Sequence, residues 1–191
     1  ELAETLTPKF PLGCRRILLS DDYYPALQRD NVTLETAPIE RLDSNSLVTD
    51  DGVRHYVDCL VAATGFHSHD FLPGVEVTGL ENADLHKEWE NKGGPEAYLG
   101  IAVSGFPNLF FLYGPNTNLG HSSIIFMIEC QVHYILKVIG LLNKKGGKTI
   151  EITHNSMEEF NQAIQKKLKR TAWAGSCNSW YKSARGKIIN N

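Results

Sequence analysis

Basic charge, paired cysteines, long apolar runs and the usual nucleophile signatures are all scarce in these 191 residues, and each absence removes a class of function. The formal net charge is −3, which leaves no electrostatic footprint for nucleic acid. The four cysteines, Cys14, Cys59, Cys130 and Cys177, are far apart and form no Cys-x-x-Cys. Reduced thiols are therefore expected rather than a disulfide frame. No uninterrupted apolar run reaches the ~18 residues of a membrane span; the run that starts at Ile124 stops at Glu129. The opening ELAETLTPKF has no basic stretch followed by an apolar one. No signal peptide and no transmembrane span are expected, and the expected compartment is the cytoplasm.

Motif chemistry is sparse as well. Gly-x-Ser-x-Gly does not occur. Gly147-Lys148-Thr149 fails as a phosphate loop, because the glycine required five positions earlier is Leu142 and the order is helix to strand. His67, His69 and Asp70 lack a second ligand pair at metal spacing, so no metal site is expected. His121, alone and without a partner, reads as a polar lining residue.

What is present centres on residues 105–142, GFPNLFFLYGPNTNLGHSSIIFMIECQVHYILKVIGLL. The run Leu109 to Leu112, bounded by turn residues, predicts a short strand over 108–113, covered on both faces. A turn from Gly114 to Asn118 follows, and then a long helix from about Gly120. Apart from Glu129, His133 and Lys137 that helix is apolar, which predicts burial on most sides. A glycine- and asparagine-rich turn at a helix N-terminus offers free N–H groups to an anion or an electron-rich ring.

Around this stretch, 21–30 reads as a helical turn or two and 32–36 as a strand. Short segments at 39–42, 47–49 and 53–57 read as a β-meander, with Asp51-Gly52 as a type I′ hairpin turn. Residues 59–63 read as a small buried strand, 67–100 as irregular and 148–153 as a strand. A helix capped by Asn155 or Ser156 should run to about Lys169. Arg15-Arg16 is either a solvated basic patch or a pair that grips phosphate and stabilises an oxyanion. Thr64-Gly65 is either a strand terminus or a close backbone approach to a ligand. Trp173 and Trp180 either pack on the edge of the core or wall a pocket.

Taken in order, CRRILLSDDYYPALQRDNV (14–32), VDCLVAATGF (57–66), AYLGIAVSGFPNLFFLYGPNTNLGHSSIIFMIECQ (97–131) and the Ser-Trp-Tyr at 179–181 resemble the C-terminal part of flavin-containing monooxygenases. The Baeyer–Villiger type is the nearest. The resemblance implies an α/β fold: the C-terminal fragment of a two-dinucleotide-binding-domain flavoprotein, with a β-meander, a buried parallel-type strand and a long buried helix. Residues 1–57 would end the NADPH-binding domain, and 58–191 would be the C-terminal portion of the FAD-binding domain.

The implied cofactors are FAD and NADPH. The implied reaction inserts one oxygen atom of O2 into a ketone, or adds it to the heteroatom of a sulfide or amine. By the same resemblance Arg16 is the catalytic arginine and Arg15 contacts the NADPH 2′-phosphate. Thr64 and Gly65 would lie against FAD. Asn116, Asn118, Leu119 and Gly120 would face the isoalloxazine, and Trp180 would line the NADPH and substrate side. No Gly-x-Gly-x-x-Gly occurs in the chain. The N-terminal FAD and NADPH domains are thus expected to lie upstream, and the isolated chain is expected to be inactive. Two other readings stand beside this one: a non-catalytic module able to self-associate as a homodimer, and a fragment of a disulfide-oxidoreductase-like flavoprotein.

Overall fold

The computed structural model describes residues 2–65, 70–118, 122–175 and 179–190. In chain order the elements are α1 (Leu2–Leu6), α2 (Tyr23–Ala26), β1 (Ile39–Leu42), β2 (Ser46–Thr49), β3 (Arg54–Tyr56), α3 (Leu85–Asn91), α4 (Ile124–Lys144) and α5 (His154–Leu168). Short 3₁₀ turns lie at Leu80–Asn82 and Ala172–Ala174. The chain divides into two compact units, Leu18–Phe66, and Glu1–Ile17 with His67–Asn191.

In the unit Leu18–Phe66 the expected meander forms as an antiparallel sheet in the order β1-β2-β3. Arg41 pairs with Val48 and Leu47 with His55, and a bulge separates Ile39 from Arg41. The central strand β2 carries the buried residues Ser46, Val48 and Thr49. The hairpin turn differs from the expected type. Among the described residues Gly52 has φ +85° but Asp51 is not left-handed, and Gly52 N–H donates to Thr49 O at 2.9 Å. This is a type I turn closed by a glycine, a common longer hairpin connection. Asp51 adds to it: its Oδ1 accepts from the Thr49 hydroxyl at 2.6 Å and from Val53 N–H at 3.1 Å. Those bonds hold its carboxyl below the usual range, the Thr49 hydroxyl having the largest effect. Residues 32–36 and 59–63 are not strands, and 59–63 are exposed rather than buried. A strand needs neighbours for its N–H and C=O groups, and the three short strands of the meander do not extend to either segment.

The other unit holds the main core: Leu85, Trp89, Ala97, Val103, Phe106, Phe111 and Met157. The helix α3 was not legible inside a segment read as irregular, yet its signals are local. Asp84 caps it, accepting from His86 and Lys87 N–H at 2.9 and 3.1 Å. Leu85 and Trp89, four apart, form its buried face. Trp89 packs edge-on to Phe71 with centroids 6.0 Å apart and tilts against Phe111 at 5.8 Å. Its indole N–H is satisfied by Glu96 O at 2.8 Å. Thr153, rather than Asn155 or Ser156, caps α5.

Two expectations about the central stretch are corrected. Residues 108–113 do not form a strand; Asn108 and Tyr113 are both left-handed, at φ 61° and 58°. Asn108 instead joins the segment to 148–150 through its N–H to Ile150 O (2.9 Å) and its side chain to Lys148 O and Ile150 N–H. The segment 148–153 is likewise not a strand. The long helix forms as α4, with Ser123 Oγ capping Phe126 N–H at 3.3 Å, but it is exposed. Only Gln131 is buried along it, whereas Ile125, Phe126 and Leu136 are each more than 60% exposed. Its length and composition are those of a helix able to cross a membrane. The single break at Glu129 does not offset the apolar residues on either side of it.

Candidate functional site

An open cleft of about 910 Å³ lies in the unit formed by Glu1–Ile17 and His67–Asn191. Three pieces of chain build it: the loop at Arg15-Arg16, the turn from Tyr113 to Asn118 leading to α4, and the C-terminal stretch at Trp173 and Trp180-Tyr181.

The arginine loop is set from below. Gly13 takes φ +79° close to Ala172, and Cys14 N–H donates to Pro11 O at 3.1 Å. Cys14 itself is completely buried and disulfide-bonded, which corrects the expectation of reduced thiols; Cys59 and Cys130 are free and exposed. The spacing of the cysteines gave no sign of this, because a bridge depends on distance in space rather than in sequence. With Cys14 tied down, the next two side chains are thrown outward. The Arg15 guanidinium lies over the Phe10 ring, 4.6 Å from its centroid. Neither arginine forms an ion pair with a described residue, and none of the described lining residues is acidic. Two unneutralised cations in a concave surface attract an anion, even on a chain of net charge −3.

The opposite wall is aromatic. Tyr181 is buried, and its ring is tilted against those of Trp180 (centroids 4.4 Å) and Trp173 (5.2 Å). The hydroxyls of Tyr113 and Tyr181 are both raised above the ordinary phenol range by burial, and Arg16 partly offsets the rise in each case. Arg16 thus acts electrostatically on two phenols at once. The arrangement can hold a phosphate or oxyanion at the guanidiniums and a flat ring against the indole.

The turn that forms the third side is heavily clamped. Thr117 Oγ1 donates to Gly114 O at 2.7 Å. A Cβ on Gly114 would strike Gly100 O, and one on Gly100 would strike the Thr117 methyl, so both glycines are required for the close approach. Asn116 is 5% exposed and faces the C-terminal stretch. Its N–H bonds Ile189 O at 3.0 Å, and its Nδ2 bonds Ile188 O and Asn190 O at 3.1 and 3.2 Å. Its Oδ1 has no hydrogen-bond partner among the described residues.

Of the residues singled out in the sequence, the structure brings Arg15, Arg16, Asn118, Trp173 and Trp180 together on the cleft. Asn116 lies beneath it. Thr64 and Gly65 are exposed in the other unit, with Gly65 at φ +83°. Leu119, Gly120, His121, His67 and His69 lie outside the described residues. Among the described residues no cluster of His, Cys, Asp or Glu is arranged to hold a metal ion. Sequence reasoning missed Tyr113, Tyr181 and Gln131. For Tyr181 the signal was the Ser-Trp-Tyr run; for Gln131 it was an uncharged polar residue on an otherwise apolar helix.

No family model matches the chain. A Baeyer–Villiger monooxygenase of Pseudomonas aeruginosa is 42% identical over 182 residues, which is 95% of this chain and 34% of that protein. Among solved structures, an oxidized steroid monooxygenase bound to NADP matches with TM-score 0.87 and 31% identity, over 99% of this chain and 36% of that one. OTEMO in complex with FAD and NADP matches with TM-score 0.86 and 28% identity, over 99% and 36%. The chain therefore spans about a third of the length of the relatives it matches.

Proposed function

Because the chain belongs to the Baeyer–Villiger type of flavin-containing monooxygenases and corresponds to their C-terminal part, we propose that it is the arginine-bearing portion of an NADPH- and FAD-dependent oxygenase. The reaction proposed is ketone + O2 + NADPH + H⁺ → ester or lactone + NADP⁺ + H2O, with oxidation of a sulfide or amine as the close variant. The observation that carries this reading is the unpaired Arg15-Arg16 facing the aromatic wall of the cleft.

The cleft residues suit the nucleotide cofactor. Two guanidiniums without an ion pair to a described residue, on a cleft that an indole also lines, match the phosphate and ring of NADPH. Asn116 faces the C-terminal stretch and does not line the cleft, so its expected place at the flavin ring stays a proposal without a contact behind it. FAD, when bound, supplies the redox chemistry that takes reducing equivalents from NADPH and activates O2. The chain's own part is to bind and to stabilise charge. Arg15 takes the 2′-phosphate, and Arg16 stabilises the negative charge that develops as oxygen is transferred. Trp180 walls the NADPH and substrate side. Asn118 is the described residue proposed to face the isoalloxazine, and Thr64 and Gly65, in the other unit, are proposed separately as FAD contacts. Residues 1–57 are read as the end of the NADPH-binding domain and 58–191 as the C-terminal portion of the FAD-binding domain. The compartment proposed is the cytoplasm.

The exposed apolar face of α4 supports an upstream part of the protein that covers it. Without that part the chain is proposed to be inactive. The same face favours a second reading, a self-associating module without catalysis. Nucleotide binding separates the two. In the full-length protein, Arg15→Ala should weaken NADP⁺ roughly ten- to a hundredfold, the loss of one hydrogen-bonded charged contact. NAD⁺, which lacks the 2′-phosphate, should bind the variant and the parent alike. Titration calorimetry reads both; an unchanged NADP⁺ affinity removes the role of Arg15.

A further inference from the structure

Tyr113 holds a backbone conformation that a bulky side chain adopts only under compulsion, φ 58° in the left-handed region. Such strain persists where the surroundings impose it, and it concentrates at sites that contact ligands. Here the source of the compulsion is visible. Gln131 is 3% exposed and is the single buried residue of α4. Its Oε1 accepts the Tyr113 N–H at 2.8 Å, and its Nε2 reaches Leu99 O at 3.5 Å. Leu99 is left-handed too, at φ 54°. One amide from the helix therefore pins two left-handed turns, and the close approach of Gly100 and Gly114 locks them together. The side chain released by this arrangement is the Tyr113 phenol, which lines the same cleft as Arg15 and Arg16.

We propose that Tyr113 is a further ligand-contacting residue of the arginine cleft, donating its hydroxyl to the anionic group of the bound nucleotide, and that Gln131 is the positioning residue that sets it there. The inference rests on the reading of the cleft as a nucleotide site. A phenol adds a neutral donor beside two cations, and a phosphate oxygen offers more acceptor sites than two guanidiniums occupy. The field of Arg16 at Tyr113 is consistent with the two sharing one anion. Gln131 is required because an apolar residue at that position leaves the Tyr113 N–H without its acceptor, and the turn then relaxes away from φ 58°.

The test uses the full-length protein and NADP⁺, with two readouts: the dissociation constant, and the ultraviolet difference spectrum of tyrosine ionisation with and without NADP⁺. Tyr113→Phe removes only a hydroxyl at a 40% exposed site and leaves the core untouched. It should weaken NADP⁺ about tenfold and abolish the nucleotide-dependent shift of one phenol. Gln131→Met should give a similar loss, and Gln131→Met combined with Tyr113→Phe should bind no more weakly than Tyr113→Phe alone. Affinity of Tyr113→Phe within twofold of the parent overturns the contact. Full additivity of the two substitutions overturns the positioning role. Arg16→Ala and Arg15→Ala, measured alongside, keep the two levels apart: if neither alters binding, the nucleotide reading of the cleft is wrong. If they do and Tyr113→Phe does not, only this inference fails.

Discussion

Replacing Arg16 by alanine in the full-length protein should lower the turnover of ketone by about a hundred- to a thousandfold while leaving the protein folded. The magnitude is that of removing one preorganised donor aimed at developing negative charge. Three features of the structure set this expectation. Arg16 is exposed on the cleft and forms no ion pair with a described residue, so its charge is available to a ligand and its loss breaks no structural bond. It lines the cleft together with Tyr113 and Tyr181, and its charge partly offsets the rise that burial gives both phenols. Cys14, two positions earlier, is buried and bridged, so the loop that carries Arg16 does not depend on Arg16 for its shape. Arg16→Lys should fall between the two, since it keeps the charge and loses the planar fork. Ketone oxidation at the parent rate in Arg16→Ala, with an unchanged melting temperature, would sink the catalytic assignment.

Lys187→Met should destabilise the protein by about 3 kcal/mol. Lys187 Nζ meets Glu96 Oε2 at 2.6 Å with both side chains near 10% exposed (12% and 10%), and the same ammonium bonds Gly94 O at 3.2 Å. Removing one member leaves a carboxylate in a dry site without its partner, which is the expensive half of a buried ion pair. Glu96→Gln combined with Lys187→Met should recover most of the loss, because the pair itself contributes little beyond its own desolvation. The effect should spread to the cleft: Lys187 lies in the C-terminal stretch that Asn116 grips through Ile188, Ile189 and Asn190, and Ile189 N–H bonds Tyr181 O at 3.0 Å. Thermal unfolding checks the prediction. A loss below ~1 kcal/mol would show that the carboxylate finds water in the variant.

How much of this was legible depended on whether an element completes itself locally. The meander was readable because its turns and its strand pairing lie within twenty residues of each other. Helix α5 was readable because its signals lie close together in sequence, with polar capping residues at its start and Lys166 and Lys167 in its last turn, although the cap is Thr153. The strand expected over 108–113 failed for the opposite reason: Leu109 to Leu112 have the composition of a covered strand, but no described segment pairs with them along their length. Burial of α4 failed in the same way. Its apolar surface reads as one to be covered, and among the described residues it is exposed along most of its length. The cleft was half legible. Arg15, Arg16, Asn118 and Trp180 were singled out, but only the fold brings residues about a hundred positions apart to one surface. Asn116 carried the same chemical signal as Asn118, yet three backbone carbonyls of the C-terminal stretch take up its amide and N–H donors. Tyr113 could not be found from composition, since its left-handed backbone depends on a glutamine eighteen residues later.

The most direct measurement is product analysis under ¹⁸O2, using the full-length protein with FAD, NADPH and a small panel of ketones and sulfides. One labelled oxygen should appear in the ester or lactone, in step with NADPH consumed, and Arg16→Ala should form about a hundred- to a thousandfold less of that labelled product while still binding FAD. Consumption of NADPH with no label in any ketone or sulfide product, or labelled product formed at the parent rate by Arg16→Ala, would contradict the account.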